Sequence, residues 1–403
     1  MNKKCIVVFP GSQWQVPIVK KIKGMGHKVL VINPYENSPA FEYADGYLQA
    51  DIFDKSQVLK YCKAEHVDGI ISEECDIAMP SLAEYAHELG LIAMSSKSAH
   101  LFTDKYEMRE FCKMNKIAYP EYRLCKTKDE AIDFFNSNSC KMIIKPLDGN
   151  SSRGVFTVSG ICDIQEHFEE ALSFSRVEKA VILERYIDGV EFTVDGVKTP
   201  QKHYSLAVSE KKHFAHNKNI ASELYFTHSN NFYDYDLLKQ TNDLFVNLSG
   251  LEFGLTHAEY KYEDGVFYLI EIAARGGGNL ISSHIVPFMS GFDNYEYLIN
   301  CCLGDITSPI VKINGGDLQR AAALKFFETP SRGGRVKEIV GLEHLNNKDV
   351  VTYKFNFKVG DYIDLAKNDS SRIGFYIVCS ETREQLDQVI KDIESNMQII
   401  LEN

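Results

Sequence analysis

Over the first hundred residues the apolar positions come in short runs separated by amphipathic stretches. "KKCIVVFPGS", "HKVLVINP", "YLQADIFD" and "VDGIISEE" each carry an apolar segment closed by a turn or a polar residue. Between them, about residues 16–25, 57–65 and 78–89 show apolar residues at helical spacing. Strands alternating with helices predict a parallel sheet with covered faces, an α/β domain over about residues 1–98. The loop after the first strand, Gly11-Ser12-Gln13-Trp14, is not G-x-G-x-x-G, so it gives no support to a dinucleotide site.

The pattern then changes. "TDKYEMREFCKMNKI" is an amphipathic helix for which Thr103 or Asp104 can serve as cap. From "MIIKPLDGNSSRGVFTV" onward, strands come as hairpin-like pairs, predicting a mixed α+β domain over about residues 99–300. The remainder, 301–403, alternates short strands with polar turns and closes with a helix at about Thr382 to Met397. It reads as a third, lid-like or packing domain.

The most informative pair of runs is "THAEYKYEDGVFYLIEIAAR", two alternating segments joined through Glu263-Asp264-Gly265. An odd-numbered loop, such as Asp264-Gly265-Val266, puts Glu259 directly opposite Glu271, with Cβ atoms roughly 4.5–5.5 Å apart. Period two brings His257, Lys261, Ala273 and Arg275 to the same face and sends Ala258, Tyr260, Ile270 and Ile272 into a core. Two carboxylates that close repel unless a cation lies between them, and a hard divalent ion shared with phosphate oxygens suits them. A register one residue different would put the glutamates on opposite faces.

Two further segments carry charge at strand ends. "IIKPLDGNSSRGV" holds Lys145, then a small-residue loop (149–154) whose backbone N–H groups can approach an anion. It is not a Walker loop, since G-x-x-x-x-G-K-[ST] is absent. "VILERYIDGVEF" places Glu184 at a strand end and Glu191 seven residues on. Taken alone, each reads equally well as a turn with solvated charges.

Composition narrows the class. The chain has 403 residues, 44% hydrophobic and 25% charged, as in a soluble globular protein of two or three domains. A formal net charge of −12 argues against a nucleic-acid surface, though not against a local basic pocket. Ten cysteines show no C-x-x-C or zinc-like spacing, which predicts free thiols in a reducing cytoplasm. No stretch of about 18 apolar residues exists to span a membrane.

Lysine, lysine with a small-residue loop, a glutamate pair, then glutamates before an arginine: in this order and spacing the chain resembles the ATP-grasp carboxylate–amine ligase superfamily over essentially its whole length. Within it the resemblance is to L-amino-acid ligases and the carbamoyl-phosphate-synthase-like branch. "GGRVKEIVGLE" and "FKVGDYIDLAKNDSSRIGFYIVCSET" are similar to the C-terminal domain of biotin carboxylase. The resemblance implies a central ATP-grasp domain, ATP as substrate and Mg²⁺ as ion, with Mn²⁺ as an alternative.

Carried onto this chain, Lys105 and Lys145 would hold the α- and β-phosphates and the 149–154 loop, with Ser151 and Ser152, would close over the far end. Glu184, with the backbone of Arg185 and Ile187, would read adenine, and Glu191 would take the ribose hydroxyls. Glu259 and Glu271 would ligate Mg²⁺, and Arg275 would stabilise charge on the transferred phosphoryl group. Gly276, Gly277 and Gly278 would leave room for a carboxylate substrate, with His284 a further substrate contact. Many relatives have Asn where this chain has Ala273, so a second magnesium would lose a ligand or take water. The implied activity joins a small carboxylate, such as an amino acid, to an amine. The alternatives are a purine-pathway ligase of the carboxyaminoimidazole or formyl-transfer type, and an inactive ATP-binding protein. A homodimer is the assembly common among look-alikes.

Overall fold

The computed structural model describes residues 3–149, 152–176, 178–306, 319–330 and 332–402. Strands β1 (Cys5–Val8), β2 (Lys28–Asn33), β3 (Gly46–Gln49) and β4 (Gly69–Ile71) form a parallel sheet in the order β3-β2-β1-β4. Their near-continuous apolar sequences fit strands covered on both faces. The expected helices lie between them, at Val16–Gly24, Lys55–Ala64 and Met79–Leu89. The strand order reverses between β1 and β4, and the loops that leave these strands border the main cleft of the molecule, as expected of such switch points.

A second sheet is antiparallel, β5 (Tyr122–Cys125), β6 (Met142–Pro146), β7 (Phe156–Val158) and β8 (Val181–Arg185), in the order β5-β8-β6-β7. Helices Lys128–Asn138 and Ile161–Ser173 cover it, and the sequence pattern had not singled them out. The amphipathic helix before this sheet runs Lys105–Asn115, with Asp104 as the cap accepting from the N–H groups of Tyr106 and Glu107.

The third sheet holds most of the site. β9 (Val190–Lys198), β10 (His203–Phe214), β11 (Asn217–Phe226), β12 (Gly254–Glu263) and β13 (Val266–Ala273) are continued by β14 (Ala321–Phe326). Of the later strands, β15 (Gly334–Val340), β16 (Val350–Phe355), β17 (Tyr362–Ile363), β18 (Gly374–Ser380) and β19 (Gln398–Leu401), two join it, giving eight strands in the order β13-β12-β9-β10-β11-β14-β18-β16. The pattern change expected near residue 300 therefore falls inside a region whose sheet is continuous. One apolar cluster likewise reaches from Ile6 and Ile18 through Val197 and Ile299 to Leu324 and Ile377. The closing helix runs Arg383–Asn396 and is capped by Thr382.

The β12–β13 hairpin does place Glu259 opposite Glu271, by a route the sequence analysis did not foresee. Glu263 pairs with Val266 around a two-residue turn in which Asp264 and Gly265 take positive φ (49° and 86°). A β-bulge between Glu259 and Tyr260 then supplies the missing residue of register. The bulge corrects one expectation. Leu269, not Ile270, joins the core with Ala258, Tyr260 and Ile272, while Ile270 lines the cleft.

Candidate active site

A cleft of about 840 Å³ opens where the three sheets face one another. Its lining includes Lys105, Lys145, Ser152, Glu191, Glu259, Glu271, Arg275 and Gly278, residues separated by up to 173 positions in the chain. His257, Lys261 and Ala273 line it as well, so the face predicted from period two does point into the cavity.

The two facing glutamates of the hairpin each meet a lysine ammonium. Lys105, the first residue of its helix and 4% exposed, donates to Glu271 Oε1 at 2.9 Å and to the Gly149 carbonyl at 3.0 Å. Burial opposes its charge, but Glu271 outweighs this and holds the Lys105 pKa above the ordinary value. Lys211, on β10, lies 2.9 Å from Glu259 and 2.5 Å from Glu191. Glu191 also faces His213 at 3.2 Å, and these cations keep its carboxyl well below the usual range although it is buried. Cross-strand pairing explains the row, because Lys211 and Lys261 both stand opposite Glu191.

Beneath this layer is a buried triad. Arg109, one helical turn after Lys105, donates to Glu184 at 2.7 Å, and Lys145 approaches the other Glu184 oxygen at 2.6 Å. Burial pushes the Lys145 pKa down to about 8, against the pull of Glu184. Glu184 itself is held below the carboxylate range, since Arg109 and Lys145 together overcome its burial. Both of its oxygens are occupied, so the Glu184 side chain is a support for Lys145 and not part of the cleft lining.

The other end of the cleft is built by the segment after β4. Asp76 pairs with Arg275, whose NH1 also donates to the Gly276 carbonyl at 2.7 Å. Glu73 accepts from Gly276 N–H at 3.2 Å and Glu74 from Leu280 N–H at 3.5 Å. Three carboxylates thus clasp the turn that contains Arg275. Burial raises the Glu73 and Glu74 pKa values, Glu74 further because Glu73 adjoins it. Burial would also raise Asp76, but Arg275 keeps it low.

The remaining expected residues are placed as follows. Ser152 donates to the Asn219 carbonyl at 3.2 Å and to Asp369 at 3.1 Å, tying its loop to β11 and to the C-terminal segment. Ser151 lies outside the described residues. Arg185 pairs with Glu263 at 2.6 Å, and the Ile187 carbonyl accepts from Lys261 at 3.3 Å; neither residue lines the cleft, although Tyr186 between them does. Of Gly276, Gly277 and Gly278, only Gly278 opens onto the cleft with no atom within 4 Å of an added Cβ. A Cβ at Gly276 would lie 2.0 Å from Ser282 Oγ, and one at Gly277 would lie 2.4 Å from Asp195 Oδ1, so these two make room for buried polar groups instead. His284 bonds Ser283 at 2.7 Å and does not line the cleft.

Arg109, Lys211, Glu73, Glu74, Asp76 and Arg372 went unnoticed in the sequence. Arg109 had a signal, four residues after Lys105 on one helix face. Arg372 reaches the cleft from the C-terminal segment, stacked over Phe326 at 3.7 Å and paired with Asp369 at 2.5 Å, and nothing local marks it.

Among the described residues no three or more His, Cys, Asp or Glu side chains are already gathered as a metal cage. The donor set still suits a cation. Two hard oxygen donors stand opposite each other, each paired with a lysine ammonium, in a cleft large enough for a nucleotide.

Residues 138–284 match the ATP-grasp domain family, and residues 326–402 match the L-amino acid ligase C-terminal domain 2. Residues 138–284 thus carry the sequence of an ATP-grasp domain. Its fold is similar over 100% of its length to an L-amino acid ligase from Bacillus licheniformis, with a TM-score of 0.82, 19% identity and 99% of that chain covered. A phosphoribosylglycinamide synthetase from Anaerococcus prevotii gives a TM-score of 0.76 at 20% identity, with both chains fully covered. In sequence, a formate-dependent phosphoribosylglycinamide formyltransferase from Maridesulfovibrio salexigens is 23% identical over 45% of this chain and 47% of the relative. Dapdiamide A synthase from Enterobacter agglomerans is 23% identical over 72% of this chain and 70% of its own. The chain spans about half the length of the first curated relatives it matches.

Proposed function

We propose that this protein is an ATP-dependent carboxylate–amine ligase acting on an amino acid or similar small carboxylate. The observation that carries the reading is the charge arrangement around Glu259 and Glu271, ringed by Lys105, Lys211 and Arg275 on the wall of one cleft. A carboxylate oxygen of the substrate attacks the γ-phosphorus of ATP, breaking its bond to the bridging oxygen and releasing ADP. The amine nitrogen then attacks the acyl carbon, loses a proton, and expels phosphate. No side-chain nucleophile is required, so the protein contributes positioning and fixed charge.

In this reading Lys105 and Lys145 hold the phosphates, and Glu191 faces the ribose. Glu184 acts through Lys145, with adenine left to the backbone near Ile187. Glu259 and Glu271 hold Mg²⁺, which when bound neutralises the triphosphate and draws charge from the transferred group. Arg275 is aimed at the phosphoryl end. Ser151 and Ser152 belong to the loop that closes over it, and Gly278 gives the carboxylate access. Gly277 and His284, set back from the cleft, support the turn around that site. The domains are taken as 1–98, 99–300 and 301–403. All ten cysteines are free, which suits a reducing cytoplasm, and a homodimer is the proposed assembly.

A purine-pathway activity is the second reading, favoured by the formyltransferase relatives. The match of residues 326–402 to an L-amino acid ligase domain favours the first. The test is phosphate release with amino acids and amines offered in pairs, beside formate offered with phosphoribosylglycinamide. ADP and phosphate formed only with an amino-acid pair support the proposal. AMP with pyrophosphate, or turnover with formate alone, would overturn it.

A further inference from the structure

One group in the cleft has no part in the scheme above. His257 stands on β12 directly opposite Asp195 on β9 and opposite Ala273 on β13, one row along from Glu259 and Glu271. Its Nδ1 lies 2.9 Å from Asp195 Oδ1, and its Nε2 lies 3.9 Å from Glu259 Oε1. Asp195 is 1% exposed and its Oδ2 has no hydrogen-bond partner among the described residues, so the imidazole is the carboxylate's hydrogen-bonded neighbour in a buried place. The pair has been given its space by the backbone. A Cβ at Gly277 would fall 2.4 Å from Asp195 Oδ1 and 3.0 Å from His257 Nδ1.

A carboxylate next to Nδ1 favours the N–H on that nitrogen and turns Nε2 toward Glu259 and the cleft. Metal-bound histidines commonly donate their other ring N–H to a carboxylate in this way. Of the residues in this row on β12 and β13, only His257 can supply a donor, since Ala273 has none. In the structure the oxygen that His257 faces is held by the Lys211 ammonium at 2.9 Å, a positive charge beside the position a cation would take.

We propose that His257 is a nitrogen ligand to the divalent ion shared with Glu259, held in place by Asp195, and that it biases the site toward Mn²⁺ over Mg²⁺. The inference rests on the ATP-grasp reading of Glu259 and Glu271. Its chemistry is simple. Mg²⁺ prefers an all-oxygen octahedron, whereas Mn²⁺ accepts imidazole alongside carboxylate and phosphate oxygens.

The full chain, labelled with ¹⁵N-histidine, is loaded with Mn²⁺ and the non-hydrolysable analogue AMPPCP and measured by pulsed EPR. A histidine nitrogen coupling to Mn²⁺ is expected, changing between ¹⁴N and ¹⁵N samples and disappearing in His257→Gln. In that variant Mn²⁺ should bind about tenfold more weakly, as should the Asp195→Asn variant, while Mg²⁺ affinity changes little. The isotope comparison needs no substitution, so it decides the matter even if His257→Gln does not fold. Stoichiometric Mn²⁺ and nucleotide binding without histidine coupling overturns this inference and leaves the ligase reading standing. Absence of any nucleotide-dependent Mn²⁺ or Mg²⁺ binding overturns both.

Discussion

The two ends of the cleft solve the same problem, buried carboxylates, in opposite ways. At the hairpin end each acid has a lysine: Glu271 with Lys105, and Glu259 and Glu191 sharing Lys211. At the end built by the segment after β4, Glu73, Glu74 and Asp76 surround Arg275, which among the described residues pairs with Asp76. With Lys261 standing opposite Glu191, the first end sets three ammoniums beside three carboxylates. The second carries an excess of acid in which burial raises the Glu73 and Glu74 pKa values, and it is tied down by backbone N–H groups instead. Balanced charge suits a place where highly charged groups come and go; clasped acids suit a rigid mount for one arginine.

Breaking the balanced end should have the largest effect. Replacing Glu271 with Ala removes a hard ligand and strands Lys105, and turnover should fall by more than the roughly 10²–10³ typical of losing one transition-state donor. Circular dichroism and thermal melting should stay near the parent, because Glu271 lines a cleft and not the core. Normal turnover of that variant in Mg²⁺ would refute the metal assignment.

Next is the arginine on its mount. Arg275→Lys should bind ATP within a few-fold of the parent yet transfer the phosphoryl group about 10²–10³ more slowly, because lysine lacks the planar fork. Calorimetry beside single-turnover kinetics separates the two. Equal losses in affinity and rate would make Arg275 a ground-state clamp.

A smaller effect comes from Lys145, whose pKa of about 8 makes its charge sensitive to mild alkali. Nucleotide phosphate binds the ammonium form, so apparent ADP affinity should weaken by about tenfold between pH 7 and pH 9. The slope should flatten in Lys145→Met. A parent affinity independent of pH over that range would show that Lys145 does not meet phosphate.

The smallest expected change is at the acid-rich end. Glu74 has a raised pKa, so its protonated form is favoured by folding, and the stability it lends is present in acid and lost as pH rises through the folded value. Glu74→Gln should therefore raise Tm at pH 7, where about 1 kcal/mol corresponds to roughly 2–4 °C, and raise it less near pH 4. A gain that is the same at both pH values would mean that folding does not raise the Glu74 pKa.

Much of this was written in local pattern. Runs of period two fixed the face shared by His257, Glu259, Lys261, Glu271 and Arg275, because alternation is imposed by strand geometry itself. Helical spacing and caps gave Lys105–Asn115 and Arg383–Asn396 for the same reason. The bulge at Ile270 escaped because the extra residue has no local marker, and only the core's demand for Leu269 decides where it falls.

The sequence by itself determined the class of chemistry: which side chains share a strand face, which lysines precede small-residue loops, and that the order matches one superfamily. Tertiary structure alone decided what those charges do to each other. Glu184 became the buried partner of Arg109 and Lys145, Gly277 the space for Asp195 and His257, and Asp76 the mount of Arg275. These partners lie between 20 and 199 positions apart in the chain, and ion pairing in a buried place depends on distance in space and on lost solvent. Neither quantity is encoded in the spacing of letters along a chain.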